Sequence, residues 1–277
     1  MKLPEEKQQI ATLFDTVATG YDGAALRFFP FSADQLVNFL KPLPGEKVLD
    51  VATGTGNVAT ALAQMVTNQG RVTGIDISEG MLKQAQEKIS GLGLTNVDLH
   101  AMDAESLEFR SNYFYHATCA YGIFFLPDMI KGLKEWVRVV RPGGKIVFSC
   151  FGPSAFEPMA ELFLERIGNF GIEPPNPDRP FGAKRTADPE QCRGLLQEVG
   201  LERLQVVTKP LGYYLDGPEQ WWEIVWNAGY RGFVDQLSDS EKTCFREEHL
   251  AEVAQLADDK GIWLDVETHF CMGYKPS

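Results

Sequence analysis

Cysteine is sparse in this chain and shows no pattern. The five cysteines (Cys119, Cys150, Cys192, Cys244 and Cys271) are widely spaced, odd in number and never arranged as CxxC. That argues against a disulfide framework and against a metal cluster. No uninterrupted apolar run approaches the ~18 residues of a membrane-spanning helix. The opening MKLPEEKQQI carries acids where a secretory leader would be apolar. Positive charge is also short: 26 Lys and Arg stand against 38 Asp and Glu, a formal net charge of −12. Such a surface repels phosphate backbones and anionic lipid, which makes nucleic acid and membrane surfaces poor partners. Internal repeats and low-complexity tracts are missing too. What is present is an ordinary globular composition, 44% apolar and 23% charged. At 277 residues it suits a reduced, cytoplasmic chain with one core domain and a sizeable lid.

The order of elements follows from periodicity. Glu5 to Thr19 sets Ile10, Leu13, Phe14 and Val17 at helical spacing. Ser32 followed by Gln35 reads as a capping box opening a second helix, which stops before Pro42 and Pro44-Gly45. The period then shortens. Lys47 to Ala52, Arg71 to Ile75, Val97 to Met102, Phe114 to Ala120 and Lys145 to Phe151 read as buried strands. Between them run helices over Asn57 to Thr67, from a Ser78 cap to about Ser90, and over Pro127 to Val140. Short apolar strands alternating with helices indicate βαβ units, hence an open, doubly wound α/β domain. Beyond Gly152 a helix is expected over Pro189 to Val199, and strands over Leu204 to Lys209 and Leu264 to Met272 complete the sheet. We therefore divide the chain into N-terminal covering helices (1–44), an α/β core (45–151) and a C-terminal part of the same domain (152–277). Lid insertions are expected near 152–185 and 212–258.

The most informative stretch is Asp50-Val51-Ala52-Thr53-Gly54-Thr55-Gly56-Asn57. Here a strand must turn sharply into a helix while its backbone approaches a ligand, which favours glycine at 54 and 56. Amides at the start of the next helix suit a carboxylate or phosphate. Gly54 to Ala59 even satisfies the dinucleotide fingerprint G-x-G-x-x-A. Asp76, 20 residues beyond Gly56, can accept from both hydroxyls of a ribose. Asp50 lies within the first strand and would repel a pyrophosphate, favouring a cationic amino or sulfonium ligand. Asp103-Ala104 closes the third strand and could receive an adenine amino group. The plainer alternative is a buried acid capping amides at Asp50 and a turn-forming acid at Asp103.

Together these residues resemble the class I S-adenosylmethionine-dependent methyltransferases, in particular the ubiquinone/menaquinone C-methyltransferase-like group. The resemblance covers roughly Phe14 to Phe151. It is carried by Phe14-Asp15-x-x-Ala18-x-x-Tyr21-Asp22, Val48 to Gly56, Gly74 to Ser78 with Met81-Leu82, Asp103-Ala104, Ala117 to Gly122, and Arg138 to Gly144. It implies a Rossmann-like, mostly parallel seven-stranded sheet whose last strand is antiparallel. S-adenosylmethionine would be the cofactor and S-adenosylhomocysteine the product. By the same resemblance, Ala52, Thr53, Gly54 and Gly56 wrap the methionine part, with Asp50 near its ammonium and Tyr21 reaching its carboxylate. Asp76 holds the ribose, Ile77 and Met81 pack on the adenine, and Asp103 and Ala104 meet its amino edge. Ala120 and Tyr121 form the floor by the sulfonium. The chain departs from the group in three places: Tyr115 follows Phe114, Gly23 to Arg27 follows Tyr21-Asp22, and Phe124-Phe125 replaces an Arg-Asn pair. A quinone acceptor therefore does not follow.

Methyl transfer from a sulfonium needs alignment and dryness more than a base. His100, His116 and His269 fall in expected strands and His249 on an expected helix surface, so no catalytic base is named. Aromatic segments supply the acceptor candidates: Phe28, Phe124, Phe125, Tyr213, Trp222 and Trp226. They would line a pocket for a small apolar or aromatic molecule, or else serve only as packing. No metal is expected. A non-catalytic adenosyl-ligand protein and an NAD(P)-dependent oxidoreductase are the competing readings.

Overall fold

The computed structural model describes residues 3–173 and 182–277. Residues 174–181, inside the first expected lid insertion, lie outside the described residues.

The amphipathic start forms α1 (Glu5–Val17), and a short 3-10 turn at Ala24–Leu26 leads into α2 (Phe28–Leu40). This corrects the expected start at Ser32, which is buried inside α2. The fully buried Phe28 anchors the first turn, where Pro30 is tolerated because that turn's amides have no helical partners. Next come β1 (Lys47–Val51), α3 (Asn57–Val66), β2 (Arg71–Asp76), α4 (Glu79–Gly91), β3 (Val97–Ala101), β4 (Phe114–Ala120), α5 (Met129–Val139) and β5 (Val140–Phe151). Side-chain caps fix two of these helices: Ser78 accepts from the Met81 amide and Asp128 from the Lys131 amide. The cap at Asp128 starts α5 later than Pro127. The strand after it begins at Val140, ahead of Pro142-Gly143-Gly144 rather than behind it.

The C-terminal part adds α6 (Met159–Gly168), α7 (Pro189–Glu198), β6 (Glu202–Pro210), β7 (Tyr213–Leu215), α8 (Pro218–Asn227), α9 (Arg231–Val234), α10 (Asp239–Ala254), β8 (Ile262–Leu264) and β9 (Glu267–Tyr274). The expected strand over Leu264 to Met272 is thus two strands. β8 pairs with β7 in a separate two-stranded ribbon, while β9 joins the main sheet.

The main sheet has seven strands in the order β3-β2-β1-β4-β5-β9-β6. Pairings among the first five are parallel, and β9 is antiparallel to both β5 and β6. Alternation along the strands divides the core in two. Val48, Val72, Val147 and Phe270 pack with α2, α3, α6 and α8. Leu49, Phe148, Cys150 and Cys271 pack on the other face with α5 and α7. The sheet's order reverses between β1 and β4, and ligands of open α/β sheets lodge beyond the strand carboxyl ends at such a switch.

Candidate active site

Two backbone turns mark that switch point. After β1, Ala52 has φ +51°; after β4, Tyr121 also has φ +51°. Left-handed geometry at two non-glycine residues costs energy and clusters at functional sites. Gly122 makes the pair possible, because a Cβ there would lie 2.7 Å from the Ala52 Cβ and 2.8 Å from Cys119 Sγ. Gly54 has φ +56° and nothing within 4 Å of its Cβ position, leaving the backbone open to a ligand. Gly56, at φ +82°, caps α3.

The acids are held in definite poses. Asp50 is buried; its Oδ2 accepts from Thr53 Oγ1 (2.6 Å) and its Oδ1 from Thr118 Oγ1 (2.8 Å). Thr118 stands opposite Asp50 in the β1–β4 register. Burial outweighs these hydroxyls and pushes the Asp50 carboxyl up to about 7, the charge of Asp76 adding to the rise. Asp76 Oδ2 accepts from the Gly54 amide (2.8 Å) and Oδ1 from the Ser78 amide (2.9 Å). Burial raises its pKa, against those backbone donors. Asp76 thus ties the end of β2 to the glycine turn.

Asp103 has a partner that sequence reasoning missed. Lys7 Nζ donates to both its oxygens, at 2.9 and 2.7 Å, and lies 3.0 Å from Glu105 Oε2. Ala104 is fixed by the Trp136 indole, which donates to its carbonyl oxygen at 3.0 Å. Met81 is buried against Val17 and Ala18 with Tyr21 beside it, and Ile77 is half-buried just before the α4 cap.

The N-terminal segment is clamped over these turns by two further acids. Asp15 Oδ1 accepts from Ser78 Oγ (2.6 Å) and the Gly80 amide (2.8 Å). Asp22 Oδ1 accepts from Thr55 Oγ1 (2.9 Å) and Asn57 Nδ2 (3.1 Å), and Lys88 Nζ lies 2.9 Å from its Oδ2. Tyr21 is thereby held near Asp76. Burial, with the charges of Asp76 and Asp22 adding, keeps its phenol protonated far above the usual range.

Aromatic rings continue from Tyr21. It stacks on Phe29 at 4.4 Å and meets Phe14 edge-on at 6.2 Å; Phe14 meets Phe125 edge-on at 5.0 Å. The turn between α8 and α9 closes over them: a Cβ at Gly229 would touch Phe125, and one at Gly20 would strike the Asn227 side chain. Of the expected acceptor residues, Phe125 belongs to this half-buried group. Phe28 and Phe124 lie behind it as buried packing, against Phe151 in both cases. Tyr213, Trp222 and Trp226 are placed elsewhere. Tyr213 sits in the β7–β8 ribbon, donating to the Ala25 carbonyl at 2.6 Å beneath Arg27. Trp222 and Trp226 stack on each other under Arg246 and Arg231. Their spacing puts them on the flank of α8, whereas Trp221, Ile224 and Val225 face inward.

No histidine is free at the site. His116 Nε2 donates to Glu46 (3.0 Å) and its Nδ1 accepts from the Lys145 amide (3.1 Å), at the opposite end of the strands. His269 bonds Thr208 and the Ala187 carbonyl. His100 is exposed on β3. His249, expected on a surface, is fully buried, accepting from the Trp221 indole at 2.7 Å. The reason is that α10 packs against α6 and α8, so its charged sequence still keeps one inward stripe.

Residues 1–164 match the model of the ubiE/COQ5 methyltransferase family. Aklanonic acid methyltransferase DauC from a Streptomyces species is 35% identical over 171 residues, which is 58% of this chain and 78% of that protein. A demethylmenaquinone methyltransferase from Bacillus cereus is 34% identical over 146 residues, 51% of this chain and 62% of the relative, so less than two thirds of that enzyme is spanned. A putative methyltransferase structure from Bacillus halodurans superposes with a TM-score of 0.58 at 24% identity, over 89% of this chain and 100% of that one; that likeness is one of fold. The class is the S-adenosylmethionine-dependent methyltransferases, with S-adenosylmethionine as cofactor. Within it, the chain belongs to the ubiE/COQ5 methyltransferase family, which removes the oxidoreductase alternative. Among the described residues no helix is long and apolar enough to cross a membrane.

Proposed function

We propose that this enzyme methylates a small, flat, largely aromatic acceptor that brings its own acidic nucleophile, such as a carboxylate or an acidic phenol. The observation that carries this reading is the half-buried ring group Phe14, Tyr21, Phe29 and Phe125 beside the Ala52 and Tyr121 turns, with no imidazole available there. Aromatic walls favour a flat apolar molecule. An acceptor that arrives ionised, or nearly so, needs no proton removed during the transfer. Two of the relatives are named as methyltransferases of aklanonic acid and of demethylmenaquinone.

The residues fit the cofactor. The open face of Gly54 admits a ligand against bare backbone, and Ala52, Thr53 and Gly56 shape the same turn around its methionine part. Asp50 would face the ammonium, its own charge stabilised by the Thr53 and Thr118 hydroxyls. Tyr21, held protonated, is suited to donate to the carboxylate. Asp76 keeps lone pairs for two ribose hydroxyls while its amide bonds persist. Ile77 and Met81 would flank the adenine, with Asp103 and Ala104 at its edge, and Ala120 and Tyr121 would form the floor. When bound, S-adenosylmethionine supplies a methyl group already attached to a good leaving group. The chain's part is to orient the acceptor and exclude water. The α1 clamp and the α8–α9 turn serve that end.

The test is transfer of labelled methyl from S-adenosylmethionine to a panel of aromatic carboxylic acids, acidic phenols, hydroquinones and aliphatic amines. Turnover confined to acidic aromatic members supports the proposal. Turnover only with aliphatic amines, or with none of the panel, rejects it.

A further inference from the structure

The cysteines that look scattered along the chain are not scattered in space. Cys150 and Cys271 share one face of the sheet, since Cys271 stands opposite Phe148 in the β5–β9 register and Cys150 follows two residues later. α7 covers that face and brings Cys192 down onto them. The three Sγ atoms lie within 4.8 Å of one another, and Cys150 and Cys192 are 3.4 Å apart. Both also point at one main-chain oxygen, the Thr186 carbonyl, at 3.4 and 3.2 Å. All three cysteines are fully buried.

We propose that Cys150, Cys192 and Cys271, with the Thr186 carbonyl oxygen, form a structural site for a thiophilic divalent cation of the zinc class. With metal–sulfur bonds of ~2.3 Å, a tetrahedral ion sets its sulfurs roughly 3.8 Å apart, a spacing between the 3.4 Å contact and the 4.8 Å limit seen here. Three soft donors exclude magnesium and calcium. The Thr186 oxygen now faces two S–H groups; when the ion displaces their protons, the same lone pairs face the ion. Each thiol that becomes a ligand releases its proton to solvent, so binding one Zn2+ frees up to three. The ion would tie β5, β9 and α7 together directly behind Phe151, which stacks on Tyr121 at 4.2 Å. The alternative is that three small side chains merely pack together.

The full chain, reduced and stripped with chelator, is titrated with Co2+ without oxygen. One equivalent of Co2+ is expected to bind with proton release and thiolate-to-cobalt charge-transfer absorption, and one equivalent of Zn2+ then displaces it and abolishes the absorption. Cys192→Ala should lose that absorption and Cys244→Ser, at the exposed cysteine, should keep it. Absence of the absorption in folded wild-type protein overturns the site, as does its survival in Cys192→Ala or its loss in Cys244→Ser. If Cys192→Ala does not fold, X-ray absorption on the zinc-loaded wild type decides. Three sulfurs per zinc support the site and fewer overturn it.

Discussion

Lys7 Nζ lies 2.7 Å from Asp103 Oδ2 with both residues buried, joining α1 to the turn after β3. Burial alone would lower the lysine pKa, but the hydrogen bonds to Asp103 and Glu105 outweigh it and raise it. The ammonium is the tie that holds the N-terminal helix down. Lys7→Met leaves Asp103 without its cation and Glu105 with only Lys131, 3.6 Å away, and should cost roughly 2–3 kcal/mol, less than a fully enclosed pair because α1 can lift and admit water. Thermal unfolding should show a fall of several degrees, with faster proteolytic cleavage near α1. Combining Lys7→Met with Asp103→Asn should cost less than the sum of the two. A Lys7→Met melting curve superimposable on wild type would show that the pair does not hold α1 in solution.

Asp76 and Gly54 should separate binding from folding. Asp76→Ala removes hydrogen bonds to a charged group worth ~1.5–3 kcal/mol each, so S-adenosylhomocysteine affinity by calorimetry should fall at least roughly tenfold. Gly54→Ala should cost the free protein only ~1–2 kcal/mol of left-handed strain, since nothing lies near the new methyl. It should nonetheless remove most of the affinity. Near-normal binding in either variant would move the cofactor away from this turn.

The Asp50 carboxyl titrates near 7 in the free protein, and an ammonium ligand would favour its ionised form. S-adenosylhomocysteine affinity should therefore decline as pH falls below about 7, and Asp50→Asn should flatten that profile while weakening binding. The sign for stability is opposite. A raised carboxyl pKa stabilises the fold fully below the unfolded value and loses that contribution as pH rises through about 7. The unliganded melting temperature should thus carry a downward Asp50 contribution over this range, absent in Asp50→Asn. A pH-independent wild-type affinity would dissociate Asp50 from the ligand's charge.

Acceptor recognition should divide the rings. Phe125→Ala should raise the acceptor KM severalfold with S-adenosylhomocysteine affinity little changed. Trp222→Ala should leave both untouched and cost only stability, because its contacts are Trp226, Phe245 and Arg246. Steady-state kinetics on any acceptor that turns over will decide. An effect at Trp222 and none at Phe125 would relocate the pocket.

The βαβ half was legible because its signals are local: apolar runs, the glycine turn, and the cap at Ser78. The acids at 50, 76 and 103 were visible for the same reason. Their partners were not. Thr118 reaches Asp50 only through strand pairing, and Lys7 is separated from Asp103 by most of the core. A trace of Lys7 was present, since it shares a helical stripe with Ala11, Phe14 and Ala18, where a cation is out of place. Ser32 misled because a capping-box pattern describes a helix start only when no buried anchor begins the helix earlier, as Phe28 does. For Trp222, Trp226 and His249, composition said aromatic or charged, but the packing of α8 and α10 chose the side.

β9 enters the main sheet between β5 and β6, so β6 reaches the other strands only across it. The edge of β5 must therefore wait, unpaired, while more than a hundred residues of helix and ribbon are made, and β6 has nothing to zip onto until β9 arrives. Sheet assembly here is a closing insertion rather than an outward growth. During synthesis the nascent chain would expose that β5 edge for a long interval, the period in which a chaperone or an intermolecular strand would compete for it.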